Sequence, residues 1–239
     1  MHAFARVIAV LFTASLLGAC VDDTQNTQAA NASQGKSGQV AEGEAISLLQ
    51  LSSRLARLAI ADEDAAMMAQ AAKIRARVST EALEAEARHA EGERTATDVD
   101  KDVPVEQLSA TDMLDLAREL AGDNETLLAL IDSTLIAEVR TRGLVGGARV
   151  VEGIVHARSK VTYDDVYFEG GTLAEVGLFG DGDTDLDLFI YDEFGNNICS
   201  SISWDDQEYC AWEPLWTGKF TIEIGNYGDV WNAYILATN

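Results

Sequence analysis

The spacing of hydrophobic and polar positions changes once along the chain. From Ala45 to about Arg142 apolar residues recur every three or four positions, which predicts amphipathic helices. Beyond Gly146-Gly147 apolar and polar residues alternate, and Gly, Asp and Asn separate short runs, which predicts antiparallel strands. We therefore predict an α+β protein, with N-terminal helical hairpins over 44–143 and a C-terminal antiparallel β-sandwich over 148–239.

Four apolar stripes define the predicted helices. A loop near 95–107, which contains Pro104, divides them, and the Ala/Glu-rich stretch Ser79–Glu93 before it is also predicted to be helical. The stripes are Leu48, Leu51, Leu55 and Leu58; Met67, Ala71, Ile74 and Val78; Met113, Leu116, Ala117 and Leu120; and Leu128, Ile131, Leu135 and Val139.

Capping residues place the ends of two of these helices. Ser109 with Asp112 predicts an N-cap with an acidic first turn. Asp123 is predicted to cap the next helix, and Gly143 to end it. We find no residues on these helices that indicate catalysis or cofactor binding.

Eight strands are predicted in the sandwich. Leu186, Leu188 and Ile190 point to one face, as do Phe220 and its alternate neighbours. The predicted strands are Arg149–Ala157, Val161–Phe168, Leu173–Phe179, Leu186–Asp192, Asn197–Ile202, Glu208–Trp212, Lys219–Gly225 and Trp231–Ala237.

The N-terminus has the layout of a secretory signal over residues 1–19. Arg6 precedes an apolar run that is too short to remain as a membrane span. The run ends in Leu17-Gly18-Ala19-Cys20, which resembles the lipobox of bacterial lipoproteins. The resemblance implies that Cys20 is lipidated, and Val21 after it favours the outer membrane, facing the periplasm. Residues 20–43 are rich in small polar residues and are predicted to be a flexible tether.

The two remaining cysteines, Cys199 and Cys210, form an even pair in an exported chain. Such a pair is most simply a disulfide, and no histidine lies nearby to complete a metal site. Both fall on strands that flank the loop near Asp205-Asp206, so we expect the bond to close one hairpin.

The charge is strongly acidic, with 17 basic against 40 acidic residues and a formal net charge of −23. Nucleic acid is excluded as an electrostatic partner, because phosphates require a basic patch. An acidic surface serves solubility in most proteins, and divalent cations or basic partners are the functional alternatives.

Three motifs in the last third resemble the bacterial pre-peptidase C-terminal domain. They are Gly182-Asp183-Thr184-Asp185-Leu186-Asp187-Leu188-Phe189-Ile190-Tyr191-Asp192 with Gly195-Asn196, then Trp216-Thr217-Gly218-Lys219-Phe220-Thr221-Ile222 with Asn226-Tyr227-Gly228, and Ala233-Tyr234-Ile235-Leu236. The likeness covers about residues 150–239. It implies a jelly-roll-like sandwich with a non-catalytic accessory or binding role. The chain departs from the family in having no protease domain before the module, and in its cysteine pair.

A calcium site is the most specific binding hypothesis. Asp183, Asp185 and Asp187 alternate on one strand edge, where a divalent cation would relieve their repulsion, and Asp181 is the nearest further donor. Three aspartates begin a Ca²⁺ site but do not complete it. The alternative is a solvated edge that forms turns and discourages strand pairing.

The four tryptophans all lie between Trp204 and Trp231. We predict that Trp212 and Trp216 fill the core, and that Trp204 is exposed beside its loop as a candidate ligand contact.

These features favour a non-catalytic envelope lipoprotein, with no predicted catalytic residues and no certain cofactor. Its expected partners are the membrane, through the lipid anchor, and an envelope protein or glycan. The alternative is a structural protein that binds a partner through its helices. A hydrolase with carboxylate chemistry is more remote, because none of the nucleophile, zinc or phosphate-binding motifs is present.

Overall fold

A computed structural model describes residues 28–33, 44–89, 107–138 and 145–239. The signal segment, Cys20, the end of the last helix near Gly143 and most of the predicted loop at 95–107 lie outside them. None of the described helices is both long and apolar enough to cross a membrane. The helices are α1 (Glu44–Ala61), α2 (Ala65–Arg75), α3 (Ala110–Ala121) and α4 (Glu125–Glu138).

Two five-stranded sheets face one another, and the α+β architecture is confirmed. The first sheet has the order β1-β3-β10-β5-β8 and the second the order β2-β4-β9-β6-β7. All eight predicted strands are present, with ends shifted by up to four residues. The strands are β1 (Val78–Ala82), β2 (Ala87–His89), β3 (Val145–Val155), β4 (Ser159–Phe168), β5 (Ala174–Gly180), β6 (Leu186–Asp192), β7 (Asn197–Ser201), β8 (Gln207–Trp212), β9 (Gly218–Asn226) and β10 (Asn232–Thr238).

The first two strands correct the sequence prediction, because they lie in the stretch predicted to be helical. β1 pairs in parallel with β3, and β2 pairs antiparallel with β4, so this stretch adds one edge strand to each sheet. Leu83, between them, is buried in the sandwich core. Pairing with an existing edge here overrides the helix propensity of Ala and Glu.

The core between the sheets follows the predicted alternation. Along β6 the residues Leu186, Leu188 and Ile190 are fully buried, and the residues between them are half-buried. Trp212 is also fully buried and packs edge-on against Phe168, as predicted for that tryptophan.

Helix α1 covers the outer face of the first sheet. Ile46 and Leu49 pack on Phe179, and Ile46 lies so close to Gly177 that a Cβ there would approach it to 2.7 Å. Of the leucine stripe, Leu51 and Leu58 are exposed. Leu48 and Leu55 of the same stripe are partly buried and pack against two different cores, so the predicted stripe is divided between packed and exposed positions.

The other helices build a second core against the far half of α1. Met68 of α2, Met113 of α3 and Ile131 of α4 are fully buried there with Ala56 and Ala59. Small alanines of α1 and α2 line this core, and Leu55 of α1 is partly buried against it.

The capping prediction for α3 is confirmed, and that for α4 is wrong by one residue. The Ser109 hydroxyl accepts a hydrogen bond from the Asp112 amide at 3.2 Å, and the Asp112 carboxylate accepts one from the Ser109 amide at 3.0 Å. For α4 the capping side chain is Asn124, which accepts from the Leu127 amide, instead of Asp123.

Candidate functional site

The candidate site is one end of the sandwich, formed by the β5–β6 turn (181–185) and the β7–β8 loop (202–206). We call it the acidic end. Arg57 of α1 reaches this end, where its guanidinium bonds the Asp206 carboxylate at 2.8 Å and the Gly180 carbonyl. The Asp206 carboxylate also accepts the Gly182 amide, so that one buried side chain joins helix, turn and loop. Burial raises the pKa of Asp206 although Arg57 opposes that shift.

The four predicted calcium ligands divide into two groups. The Asp181 carboxylate accepts hydrogen bonds from the Asp183 amide at 3.3 Å and from the Ala233 amide at 3.0 Å. Asp181 therefore ties the turn to β10.

Asp185 and Asp187 form the other group, and they lie close enough to interact electrostatically. Burial first, and then the charges of Asp185 and Glu208, raise the pKa of Asp187 to about 6. One carboxylate oxygen of Asp185 is buried and accepts no hydrogen bond from the described residues. This pair places two like charges near each other at the acidic end.

The residues that the structure describes contain no group of three or more His, Cys, Asp or Glu side chains placed to hold a metal ion. The calcium site stays a prediction on Asp181, Asp183, Asp185 and Asp187. A carboxyl group with a raised pKa beside a second carboxylate is also what acid–base catalysis uses. The hydrolase alternative therefore stays a prediction as well.

Buried Glu208 holds the β7–β8 loop in place. Its carboxylate accepts hydrogen bonds from the Ser203 amide at 2.9 Å, the Ser203 hydroxyl at 2.5 Å and the Ser201 hydroxyl. Glu208 lies two residues before Cys210 on β8. The loop is thus tied to the strand by charge-assisted hydrogen bonds.

The predicted disulfide between Cys199 and Cys210 is present. The expectation that it closes a hairpin is wrong, because β7 and β8 are edge strands of different sheets. The bond joins the two sheets at one open edge of the sandwich, and fixes both strands from which the loop emerges.

Trp204 stands at the tip of this braced loop. It is 98% exposed, and neighbouring Ile202 is 64% exposed. Its predicted exposure is confirmed, and its role in ligand contact stays a prediction. An apolar side chain of this size on a rigid support has little conformational entropy to lose on binding.

The opposite end of the sandwich is formed by the β6–β7 turn (193–196) and the β8–β9 loop (213–217). Residues 28–33 lie across it, and we call them the strap and this end the strap end. Asn31 of the strap is completely buried. Its side-chain oxygen accepts the Leu215 and Trp216 amides at 2.9 and 3.1 Å, and its side-chain nitrogen donates to the Trp216 carbonyl at 3.0 Å. The described part of the predicted tether is therefore docked, which corrects the prediction that residues 20–43 are flexible throughout.

Trp216 corrects another prediction, because it is 37% exposed and does not fill the core. Its indole N–H donates to Glu193 at 2.7 Å, and its ring lies 6.3 Å from that of Phe194. Leu215 beside it is exposed.

Sequence reasoning missed Asn31, Glu208 and Arg57. Asn31 lies in a polar stretch typical of linkers, and its partners are backbone groups almost 200 residues away. No local pattern distinguishes Glu208 from the other acids. The run Ser201-Ile-Ser203 beside it is the only weak signal, since hydroxyls commonly solvate a buried carboxylate.

No family model matches the chain, and no curated protein matches it. Among solved structures, the Yersinia pseudotuberculosis-derived mitogen is 12% identical over 38% of this chain and 84% of its own, with a TM-score of 0.30. PliG of Aeromonas hydrophila, a periplasmic inhibitor of g-type lysozyme, is 13% identical over the same shares, also with a TM-score of 0.30. The active domain of bacteriophage CBA120 tailspike protein 4 is 16% identical over 37% of this chain and 17% of its own, with a TM-score of 0.27. Likenesses this slight assign neither fold nor function.

Proposed function

We propose that this chain is a non-catalytic lipoprotein of the cell envelope, whose pre-peptidase C-terminal-like sandwich binds a partner through its acidic end. The partner is an envelope protein or glycan. The observation that carries the proposal is Trp204, almost fully exposed on a loop that is held by a disulfide and by Glu208. Exposed aromatic side chains on rigid supports are typical anchors of binding sites.

The lipoprotein part of the proposal depends on Cys20. Acylation should appear in the mass of the N-terminal peptide from the membrane fraction, and Cys20→Ser should move the protein out of that fraction. An unmodified N-terminus in membrane-bound protein would contradict it. Localisation at the outer membrane, facing the periplasm, is tested by fractionating the two membranes.

A second candidate function, partner binding through the helices, is supported by α1. Leu51 and Leu58 are exposed seven residues apart, so they lie on the same side of the helix, and Leu58 is 53% exposed. An apolar stripe left outside two adjoining cores is a candidate surface for a partner protein.

One crosslinking experiment distinguishes binding through the acidic end from binding through the helices. A photoreactive amino acid is placed at position 204, at position 58, or at exposed Glu169 as the control, and intact cells are irradiated. We expect a discrete adduct from position 204 that Ile202→Ser weakens. An adduct from position 58 alone would favour the helices, and identical adducts from all three would contradict a specific site.

Calcium is proposed as a stabilising ion at the acidic end, because Asp185 and Asp187 carry mutually repelling charge there. An ion that binds only the folded state stabilises it by about 2.7 kcal/mol at a hundredfold excess over Kd. Melting should rise in calcium by several degrees more than in magnesium at equal ionic strength, and Asp185→Asn should abolish the difference. Equal midpoints in the two ions would leave the solvated-edge interpretation.

A further inference from the structure

The strap fixes where the anchored N-terminus meets the sandwich. Besides the hydrogen bonds of its side chain, Asn31 donates its amide to Asp192 at 2.9 Å, and the Ser33 amide donates to the Glu213 carbonyl at 3.0 Å. Asn196 donates to the carbonyl of Gln28, at the start of the strap. A completely buried amide with all these groups paired holds the chain at the strap end, since releasing it would leave several backbone groups unsatisfied.

The length of chain before the strap is short. Gln28 lies eight residues after Cys20. A fully extended chain of that length spans at most about 26–29 Å. If Cys20 carries lipid, as proposed above, the strap end lies within that distance of the bilayer surface.

The side chains at the strap end suit a bilayer interface. Leu215 and Trp216 are exposed next to half-buried Phe194. The Trp216 ring offers an apolar body with its N–H held by Glu193, and tryptophan favours the level of lipid headgroups. Glu193 and Glu213 make this end unsuited to a strongly anionic surface, so the expected partner is a zwitterionic lipid surface.

The acidic end also exposes apolar side chains, Trp204 and Ile202, but it lies away from the docked strap. The acidic end is separated from the strap end by the length of β8, six residues or about 20 Å.

We infer that the sandwich stands on the membrane through its strap end, with Leu215 and Trp216 at the lipid surface and Trp204 directed away from it. The strap acts as the orienting element, because it shortens the free tether and attaches it beside the apolar side chains. This inference deepens the proposed function and rests on attachment at Cys20.

A vesicle experiment tests the orientation independently of lipidation in the cell. The chain from residue 20 onward is coupled through the Cys20 thiol to a maleimide lipid, since Cys199 and Cys210 are joined to each other. The vesicles are phosphatidylcholine containing brominated phosphatidylcholine, which quenches tryptophan near the lipid. Trp204→Phe and Trp216→Phe identify the quenched residue, and Trp212 and Trp231 are common to both variants.

We expect Trp204→Phe to keep the quenching and Trp216→Phe to lose most of it. Asn31→Ala, which frees the strap and lengthens the tether, should also lose most of it, while folding is checked by circular dichroism. Quenching that follows Trp204, no quenching of either residue, or quenching unchanged in Asn31→Ala would overturn the inference. Failure of lipidation itself appears separately, as an unmodified Cys20 in protein from cells.

Discussion

The two ends of strand β6 place the same type of side chain in opposite environments. At the strap end, Asp192 accepts four hydrogen bonds, from the Phe194 and Asn196 amides, the Asn196 side chain and the Asn31 amide. Burial opposes its ionisation, but these hydrogen bonds outweigh burial and lower its pKa. At the acidic end, burial first, and then the charges of Asp185 and Glu208, raise the pKa of Asp187 to about 6.

The two carboxylates therefore have opposite effects on the stability of the native state. The carboxylate at the strap end is satisfied within the fold, so its charge stabilises the native state. At the acidic end the raised pKa of Asp187 means that its ionised form destabilises the native state at neutral pH. A carboxylate whose ionised form is unfavourable in the folded state is a candidate functional group. This difference supports the proposal that the acidic end binds the partner.

Breaking the disulfide between the sheets should have the largest effect on stability, because the bond joins two edge strands of different sheets. We expect Cys199→Ser with Cys210→Ser to lower the free energy of unfolding by about 2–4 kcal/mol. Denaturant unfolding measures the loss, and the reduced wild-type protein should match the double variant. Unchanged stability in both would mean that the facing β-sheets hold together without the bond.

Removing the hydrogen-bonded carboxylate of Asp192 should have the next largest effect on stability. Asp192→Asn replaces one accepting carboxylate oxygen by an NH2 group, which would face other hydrogen-bond donors. We expect this to lower the free energy of unfolding by about 2 kcal/mol at pH 7. Because the folded pKa of Asp192 is lowered, its contribution is present above the unfolded pKa of about 3.8 and is lost as the pH falls through the folded pKa. The gap between variant and wild type should therefore close in acid. Asp229→Asn, which breaks an exposed pair with Arg158, is the control and should change stability by less than about 1 kcal/mol.

The sandwich could be predicted from sequence because its signals are local. The alternation along β6 and β9 sets which side chains are buried, and glycine and aspartate mark the turns. The exposure of Trp204 followed from its place beside a polar loop. All of these depend on neighbours within a few residues.

What could not be predicted depends on distant partners. β1 and β2 are strands only because β3 and β4 offer edges, and their own residues favour helix. α1 has apolar residues around most of its circumference, so the pattern could not select the face that Gly177 admits. Asn31 is buried only because loops far along the chain supply its partners. At the candidate site, the acidic turn was visible in the sequence, but the support from Glu208 and Arg57 was not.

The smallest expected effect is on the stability of a variant at Asp187, and it tests the electrostatics of the acidic end most directly. Because the folded pKa of Asp187 is raised, its stabilising contribution is present below the unfolded pKa of 3.8 and is lost as the pH rises through about 6. Asp187→Asn removes this loss while keeping the shape of the side chain. The variant should match the wild type near pH 4 and exceed it above pH 6 by about 1 kcal/mol, a value reduced for solvent screening of a half-exposed group. Thermal unfolding from pH 4 to 8 should show this as a rise of about 2–4 °C at neutral pH. Glu169→Gln, at an exposed site beyond the other end of the sandwich, removes the same charge from an acidic chain. An equal gain in that control would assign the effect to overall charge, and would remove the electrostatic difference between the two ends of β6.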